Sequence, residues 1–211
     1  MRLHNKIALV TGASRGIGKT IALAYAQEGA DIIVNYLQSS GHAIKVVEEI
    51  GALGRKALDI QADVSDPLEV NRMIEESIET FGRLDILVNN AGILLPFQFE
   101  NPDFNAWQRM VDVNMKGLLH CSRAVSPIMK QQGKGTIINI VIKESKGSLD
   151  YTMTKAAGDI MTRGLARELA PQVRVNAIAP GYVDTGWISG LPIQEQEAIK
   201  ASIPLKRGGV S

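Results

Sequence analysis

Ile7-Ala8-Leu9-Val10-Thr11-Gly12-Ala13-Ser14-Arg15-Gly16-Ile17-Gly18 is the stretch on which the reading of this chain turns. Four consecutive apolar residues, two of them β-branched, fit a strand buried on both faces. Three glycines follow, and then an apolar pattern at helical spacing through about Glu28. Glycine permits a tight turn and close approach of backbone to a ligand. The N-terminus of a helix offers unpaired N–H groups and partial positive charge, which suit a phosphate. A glycine-rich turn alone is weak evidence, since any sharp turn can use glycine. Its position between a strand and a helix strengthens the phosphate-binding reading.

The same alternation continues outward. Strands are expected at 32–34, 56–62, 84–88, 136–142 and 173–178, and helices on the stretch that carries Ile44, Val47 and Ile50 at helical spacing, from Asp66-Pro67 onward, and at about 105–130 and 151–169. Asp66-Pro67 supplies a cap and a first-turn proline for the third helix. The long helix is expected to break near Met115 to Gly117. Apolar strands separated by helices imply an α/β fold, a doubly wound parallel sheet of Rossmann type covered on both faces. The 211 residues, 45% of them hydrophobic, suit a single domain spanning 1–211. The segment Gly186 to Pro204 reads as irregular, either a flap over a substrate pocket or a packed surface helix.

Charge narrows the function. The 23 basic and 22 acidic residues are interspersed, leaving a net charge of +1 and no basic face for nucleic acid. No apolar run is long enough to span a bilayer, and the N-terminus lacks a signal-peptide core. The lone Cys121 permits no intrachain disulfide and reads as a buried core thiol. His4, His42 and His120 are scattered, without metal-ligand spacing, so no metal is expected. These features together suggest a cytoplasmic protein.

Tyr151 and Lys155 are four apart in an expected helix and so share a face. A phenol with an ordinary pKa of about 10 exchanges protons poorly at neutral pH, and a neighbouring ammonium would favour the phenolate. The pair is also compatible with an ordinary surface couple on an amphipathic helix.

The spacing of Gly12, Gly16 and Gly18, G-x-x-x-G-x-G, resembles the signature of the short-chain dehydrogenase/reductase family. The resemblance runs on through Asn89-Asn90-Ala91-Gly92, Asn114, the Tyr151-Thr152-Met153-Thr154-Lys155 motif, and Pro180-Gly181 with Thr185 close behind. It implies hydride exchange between a nicotinamide and a ketone or secondary alcohol. Tyr151 would handle the proton, Lys155 would tune the phenol and hold the nicotinamide ribose, and Asn114 would hold a relay water. Cofactor contacts are implied for Gly12, Ser14, Arg15, Gly16, Ile17, Gly18, Asn35, Asp63, Val64, Asn90, Ala91, Gly92, Pro180, Gly181, Val183 and Thr185. A dimer or homotetramer would form through the two long helices.

NADP(H) is favoured over NAD(H). The second strand ends Val34-Asn35-Tyr36-Leu37 with no carboxylate for ribose hydroxyls, whereas Arg15 can pair with a 2′-phosphate. Substrate identity is not legible. Leu94, Leu95, Tyr182 and Trp187 suggest an uncharged or partly apolar carbonyl compound, and the overall look is closest to 3-oxoacyl-carrier-protein reductases and sugar or polyol dehydrogenases.

Two departures stand out. The family serine thirteen positions before the tyrosine falls on Ile138, or on Ile142 if the strand is aligned by Asn139-Ile140 and the loop is four residues short. Three readings stay open: a silent, cofactor-binding regulator, Ser145 in the serine's role, or further loop residues in the natural protein. The chain also stops at Ser211, where family members continue into a seventh strand, so an open edge on strand six is expected.

Overall fold

The computed structural model describes residues 1–96, 98–142, 149–184 and 192–210. Its order is β1 (Ile7–Val10), α1 (Gly16–Gln27), β2 (Asp31–Tyr36), α2 (Ser40–Ala52), β3 (Ala57–Gln61), α3 (Pro67–Phe81) and β4 (Ile86–Asn89). Then come α4 (Phe104–Val111), a π-helical turn (Asp112–Lys116), α5 (Gly117–Gln131), β5 (Gly135–Ile140), α6 (Leu149–Glu168), β6 (Val173–Ile178), β7 (Val183–Asp184), α7 (Ile193–Ser202) and β8 (Gly209–Val210). The main sheet is wholly parallel with strand order β3-β2-β1-β4-β5-β6. This is the doubly wound arrangement expected, and its order reverses between β1 and β4.

Alternation along the strands divides the core in two. Ile7 and Leu9 of β1 join Val70, Met73, Val113, Cys121, Val125 and Met129 beneath α3 and α5. Ala8 and Val10 face the other way, onto Ala22, Ala26, Val46 and Ile50 of α1 and α2. A strand buried on both faces needs no polar positions, hence the unbroken apolar run. Helix α3 starts where its cap predicts: the Asp66 carboxylate accepts from Leu68 N at 2.8 Å, and Gly82 ends it in the left-handed conformation.

β6 differs. Val173 and Val175 are buried, while Arg174, Asn176 and Ile178 are exposed, so only one face of this edge strand is covered among the described residues. The sheet ends there as expected, and β8 pairs only with β7. Much of the 186–204 stretch, expected to be irregular, is the helix α7, in which Gln196 N donates to Pro192 O at 3.1 Å. Good helix formers such as Gln194, Glu197 and Ala198 after Pro192 account for it. Thr185, Trp187, Ile188, Ser145 and Ser148 lie outside the described residues.

Candidate active site

The site assembles at the carboxyl ends of the parallel strands, across the switch between β1 and β4. Two of its glycines are required by conformation, Gly12 at φ +62° and Gly16 at φ +56°. Gly18 is required by contact. A Cβ there would lie 2.4 Å from Gly12 O and 2.5 Å from the Asn90 amide nitrogen. Arg15 occupies the N-cap of α1 and makes no side-chain cap bond, and the first turn holds no acidic residue. The N–H groups of that turn therefore face the crevice without a capping side chain, beside the exposed Arg15. A backbone held this close, with donors unspent, fits a pyrophosphate.

Thr11 and Asn90 lace the two central strands together. Thr11 Oγ1 donates to Val88 O and accepts from Asn90 N and Ala91 N, each of the last two at 3.0 Å. The Asn90 amide donates to Thr11 O at 2.9 Å and Gly12 O at 3.2 Å. Its side chain thus supports the glycine turn.

Asn35 is likewise bonded to backbone. It is 2% exposed, accepts from Gly12 N at 3.1 Å, and donates to Ala62 O at 3.0 Å. The amide is committed to backbone on both sides, so Asn35 shapes the turn. Asp63 and Val64 follow β3 as expected. Burial raises the Asp63 carboxyl, but hydrogen bonds from Ser65 and Arg109 outweigh it and leave the group below its usual value.

Lys155 and Tyr151 do share a face of α6, Lys155 buried and Tyr151 half-buried. A Cβ on Gly92 would lie 3.2 Å from both Lys155 Nζ and Asn114 Oδ1, which shows how closely the β4 turn, the π-helical turn and α6 converge. The electrostatics differ from the sequence expectation. Burial pushes the Tyr151 phenol upward, and burial brings Lys155 down to about 8. Desolvation of each group, instead of mutual attraction, governs the pair before any ligand arrives. The Tyr151 hydroxyl makes no hydrogen bond to another described residue.

Asn114 sits in the π-helical turn, a distortion that recurs at functional sites. Its Oδ1 accepts from Ile93 N at 2.8 Å, and its amide donates to Ile93 O at 2.9 Å and Thr154 Oγ1 at 3.0 Å. Both amide hydrogens are spent, so the side chain braces three elements and keeps only a lone pair on Oδ1 for a water. Pro180, Gly181 and Val183 follow β6, with Gly209 N donating to Tyr182 O at 2.8 Å. Ile142 follows β5, half-buried.

Sequence reasoning quoted Asn89 and Asn139 within motifs but missed that they join Thr162 in a buried polar chain across β4, β5 and α6. One signal was available: a lone polar residue in Ile137-Ile138-Asn139-Ile140. It also missed Arg109, whose guanidinium reaches Ser65 Oγ and Asp63 Oδ2, each at 2.6 Å.

A glycine-cradled helix start beside a tyrosine–lysine helix, on this sheet order, defines an oxidoreductase of the dinucleotide-binding class. The family model described as short chain dehydrogenase matches residues 6–195. The chain belongs to the short-chain dehydrogenase/reductase family, whose members act on C=O and CH–OH groups. It is 42% identical over 210 residues to a Staphylococcus epidermidis 3-oxoacyl-[acyl-carrier-protein] reductase FabG, covering 97% of this chain and 86% of the relative. A FabG of the same description from Staphylococcus aureus is 43% identical over 209 residues, 97% and 85% of the two chains. A Burkholderia cenocepacia short chain dehydrogenase solved in complex with NADP is 36% identical, with TM-score 0.91, covering 100% of this chain and 87% of its own. The relatives' names are those of reductases and lend no support to a silent regulator.

Proposed function

We propose that this chain is an NADP(H)-dependent carbonyl reductase acting on a ketone, with a 3-oxoacyl thioester as the leading substrate class. The observation that carries the reading is the convergence of Lys155 and Asn114 on Gly92, with Tyr151 one turn before Lys155 on the same helix, in a fold whose α1 start is uncapped. The α1 N-terminus would hold the pyrophosphate through Gly12, Ser14, Gly16, Ile17 and Gly18, and Arg15 the 2′-phosphate. Asp63 and Val64 would flank the adenine. Ala91, Gly92 and Lys155 would line the nicotinamide ribose, with Pro180, Gly181, Val183 and Thr185 on the nicotinamide side. The 36%-identical neighbour in complex with NADP, together with Arg15 and the acid-free end of β2, supports the phosphorylated cofactor.

The bound cofactor supplies the hydride. Tyr151, its hydroxyl unspent within the described protein, donates the proton to the reacting oxygen. Lys155 is close enough to neutrality, at about 8, to pass a proton onward near physiological pH. The exposed Leu94 and the adjoining Leu95 and Tyr182 offer apolar contact to an acyl chain.

Exposed Leu119 on α5 and Met153 and Ile160 on α6 support a homodimer or tetramer through these helices, which light scattering checks. No described helix is long and apolar enough to cross a membrane; a cytoplasmic setting rests on the lone, buried Cys121.

Consumption of NADPH with an acetoacetyl thioester tests the activity. Tyr151→Phe should lower turnover by about 10²–10⁴-fold with NADPH binding retained. Unchanged turnover in that variant rejects the assignment. Arg15→Ala should weaken NADPH far more than NADH; equal losses remove the cofactor argument.

A further inference from the structure

A small cavity of about 10 Å³ is lined by Thr11, Val64, Asn89, Ala91, Asn114, Gly117, Leu118 and Lys155. That is about the space one water molecule requires. Asn89 Oδ1 is buried there without a hydrogen-bond partner, on a residue only 5% exposed. Buried polar atoms are seldom left so.

The orientation of the Asn89 amide is fixed by a chain of donors. Thr162 Oγ1 gives its hydrogen to Gly158 O at 2.6 Å, so toward Asn139 it can only accept, and Asn139 Nδ2 donates to it at 2.9 Å. Asn139 therefore turns its carbonyl toward β4, where Asn89 Nδ2 donates to it at 2.9 Å and to Ser122 Oγ at 3.0 Å. Flipping either amide would set two acceptors or two donors against each other. Asn89 Oδ1 is thus left as an acceptor. Of the side chains lining the cavity, Thr11 has spent its one hydrogen on Val88 O and Asn114 both of its own. Lys155 alone has donors to give, and no charged group among the described residues contributes to its shift, burial being the only cause.

We propose that Asn89 is a positioning residue for Lys155, acting through one water molecule that accepts from Lys155 Nζ and donates to Asn89 Oδ1. The inference rests on the reading of Lys155 as part of the proton path. The water gives the buried ammonium a partner and anchors it to the β4–β5–α6 polar chain. It also opposes the burial that draws Lys155 toward neutrality. Apart from Lys155, no residue lining the cavity ionises. Tyr151, one helical turn away, is the other titratable group of the pair.

The test is titration of Lys155 Nζ by 15N-lysine NMR in the cofactor-free protein, paired with a high-resolution crystal structure. Asn89→Leu should lower the Lys155 pKa by about one unit, and Asn89→Asp should raise it by about as much. Ser122→Ala, which damages the same polar chain but leaves Oδ1 in place, should leave the titration unchanged. The crystal structure should contain a water between Asn89 and Lys155. Shifts of the same sign in both Asn89 variants, an equal shift in Ser122→Ala, or a dry cavity would each overturn the proposal. If Asn89→Leu fails to fold, the opposed outcomes of Asn89→Asp and Ser122→Ala still decide it. Because the titration needs no cofactor, an absence of NADPH turnover would count against the proposed activity and leave this result standing.

Discussion

Gly18→Ala is the sharpest test of how the nucleotide half is built. The added methyl would sit 2.4 Å from Gly12 O and 2.5 Å from the Asn90 amide nitrogen, where ordinary contact begins near 3.4 Å. Something must therefore move by roughly 1 Å, and neither neighbour is free to do so. Gly12 is pinned through Asn35 and Asn90, and the Asn90 amide also holds Thr11 O. Overpacking of this kind costs about 1–3 kcal/mol, and pulling Asn90 from its acceptors adds about 1–3 kcal/mol for buried groups left unpaired. The expected loss is about 2–5 kcal/mol, read by urea denaturation. NADPH binding, read by fluorescence titration, should fall more than tenfold because the displaced turn presents its N–H groups to the phosphates. Gly51→Ala is the control. Gly51 is exposed on α2 and nothing lies within 4 Å of its would-be Cβ, so stability should rise, by up to about 1 kcal/mol. A Gly18→Ala protein with unaltered stability and NADPH affinity would refute the close-approach argument.

Lys155→Met should abolish turnover yet stabilise the fold by up to about 3 kcal/mol at neutral pH. The folded pKa of Lys155, about 8, lies below its unfolded value, so the penalty is fully present below pH 8. It fades as pH rises through about 8 to about 10, and the stability advantage of the variant should fade with it; a pH-independent difference would contradict this. Asp85 is buried where Arg83, Lys6 and the Ile7 N–H meet it; burial raises its carboxyl, and these partners more than offset it, leaving the group depressed. Its contribution is present above the ordinary carboxylate range and lost as pH falls through the lower folded value, so Asp85→Asn should cost about 1–3 kcal/mol at pH 7, its cationic partners being partly exposed, and flatten the acid limb of a stability profile. Arg109→Gln should cost about 1 kcal/mol or less in stability, its pairing with Asp63 being partly exposed. The same change should weaken NADPH several-fold and leave reduced nicotinamide mononucleotide, which has no adenine, unaffected in a competition assay.

The sequence made the sheet legible because each strand carries its own signal. Ile7–Val10 and Ile86–Val88 are apolar without interruption, and Asp66-Pro67 marks the start of α3 by local chemistry. The glycine turn was legible for the same reason, since positive φ at Gly12 and Gly16 leaves a mark at those positions. What escaped was every role decided by a distant partner. The Asn35 amide answers to Gly12 and Ala62, residues brought close only by the sheet. Arg109 meets Asp63 across 46 positions, and Asn89 meets Asn139 across 50. The phenol–ammonium pair was placed correctly by helical spacing, but its electrostatics depend on burial, which spacing does not reveal.

The two halves of the site are built to different degrees of commitment, and this bears on how catalysis is shared. Around the glycine turn nearly every polar side chain is tied to backbone, in Thr11, Asn35 and Asn90, so the nucleotide half is rigid before a ligand arrives. Around Tyr151 the reverse holds. The phenol has no partner among the described residues, and the half-buried Ile142 follows β5 where the family pattern has a serine. A second donor to a reacting oxygen commonly contributes about 10²–10³-fold. Ser145 lies outside the described residues, and among those described Tyr151 is the donor proposed for the reacting oxygen. Its phenol must then regain its proton quickly, which puts weight on Lys155 and on whatever holds that amine's charge. The buried chain from Thr162 through Asn139 to Asn89 ends at an unspent acceptor, Asn89 Oδ1, and the proposed water would carry it on to Lys155.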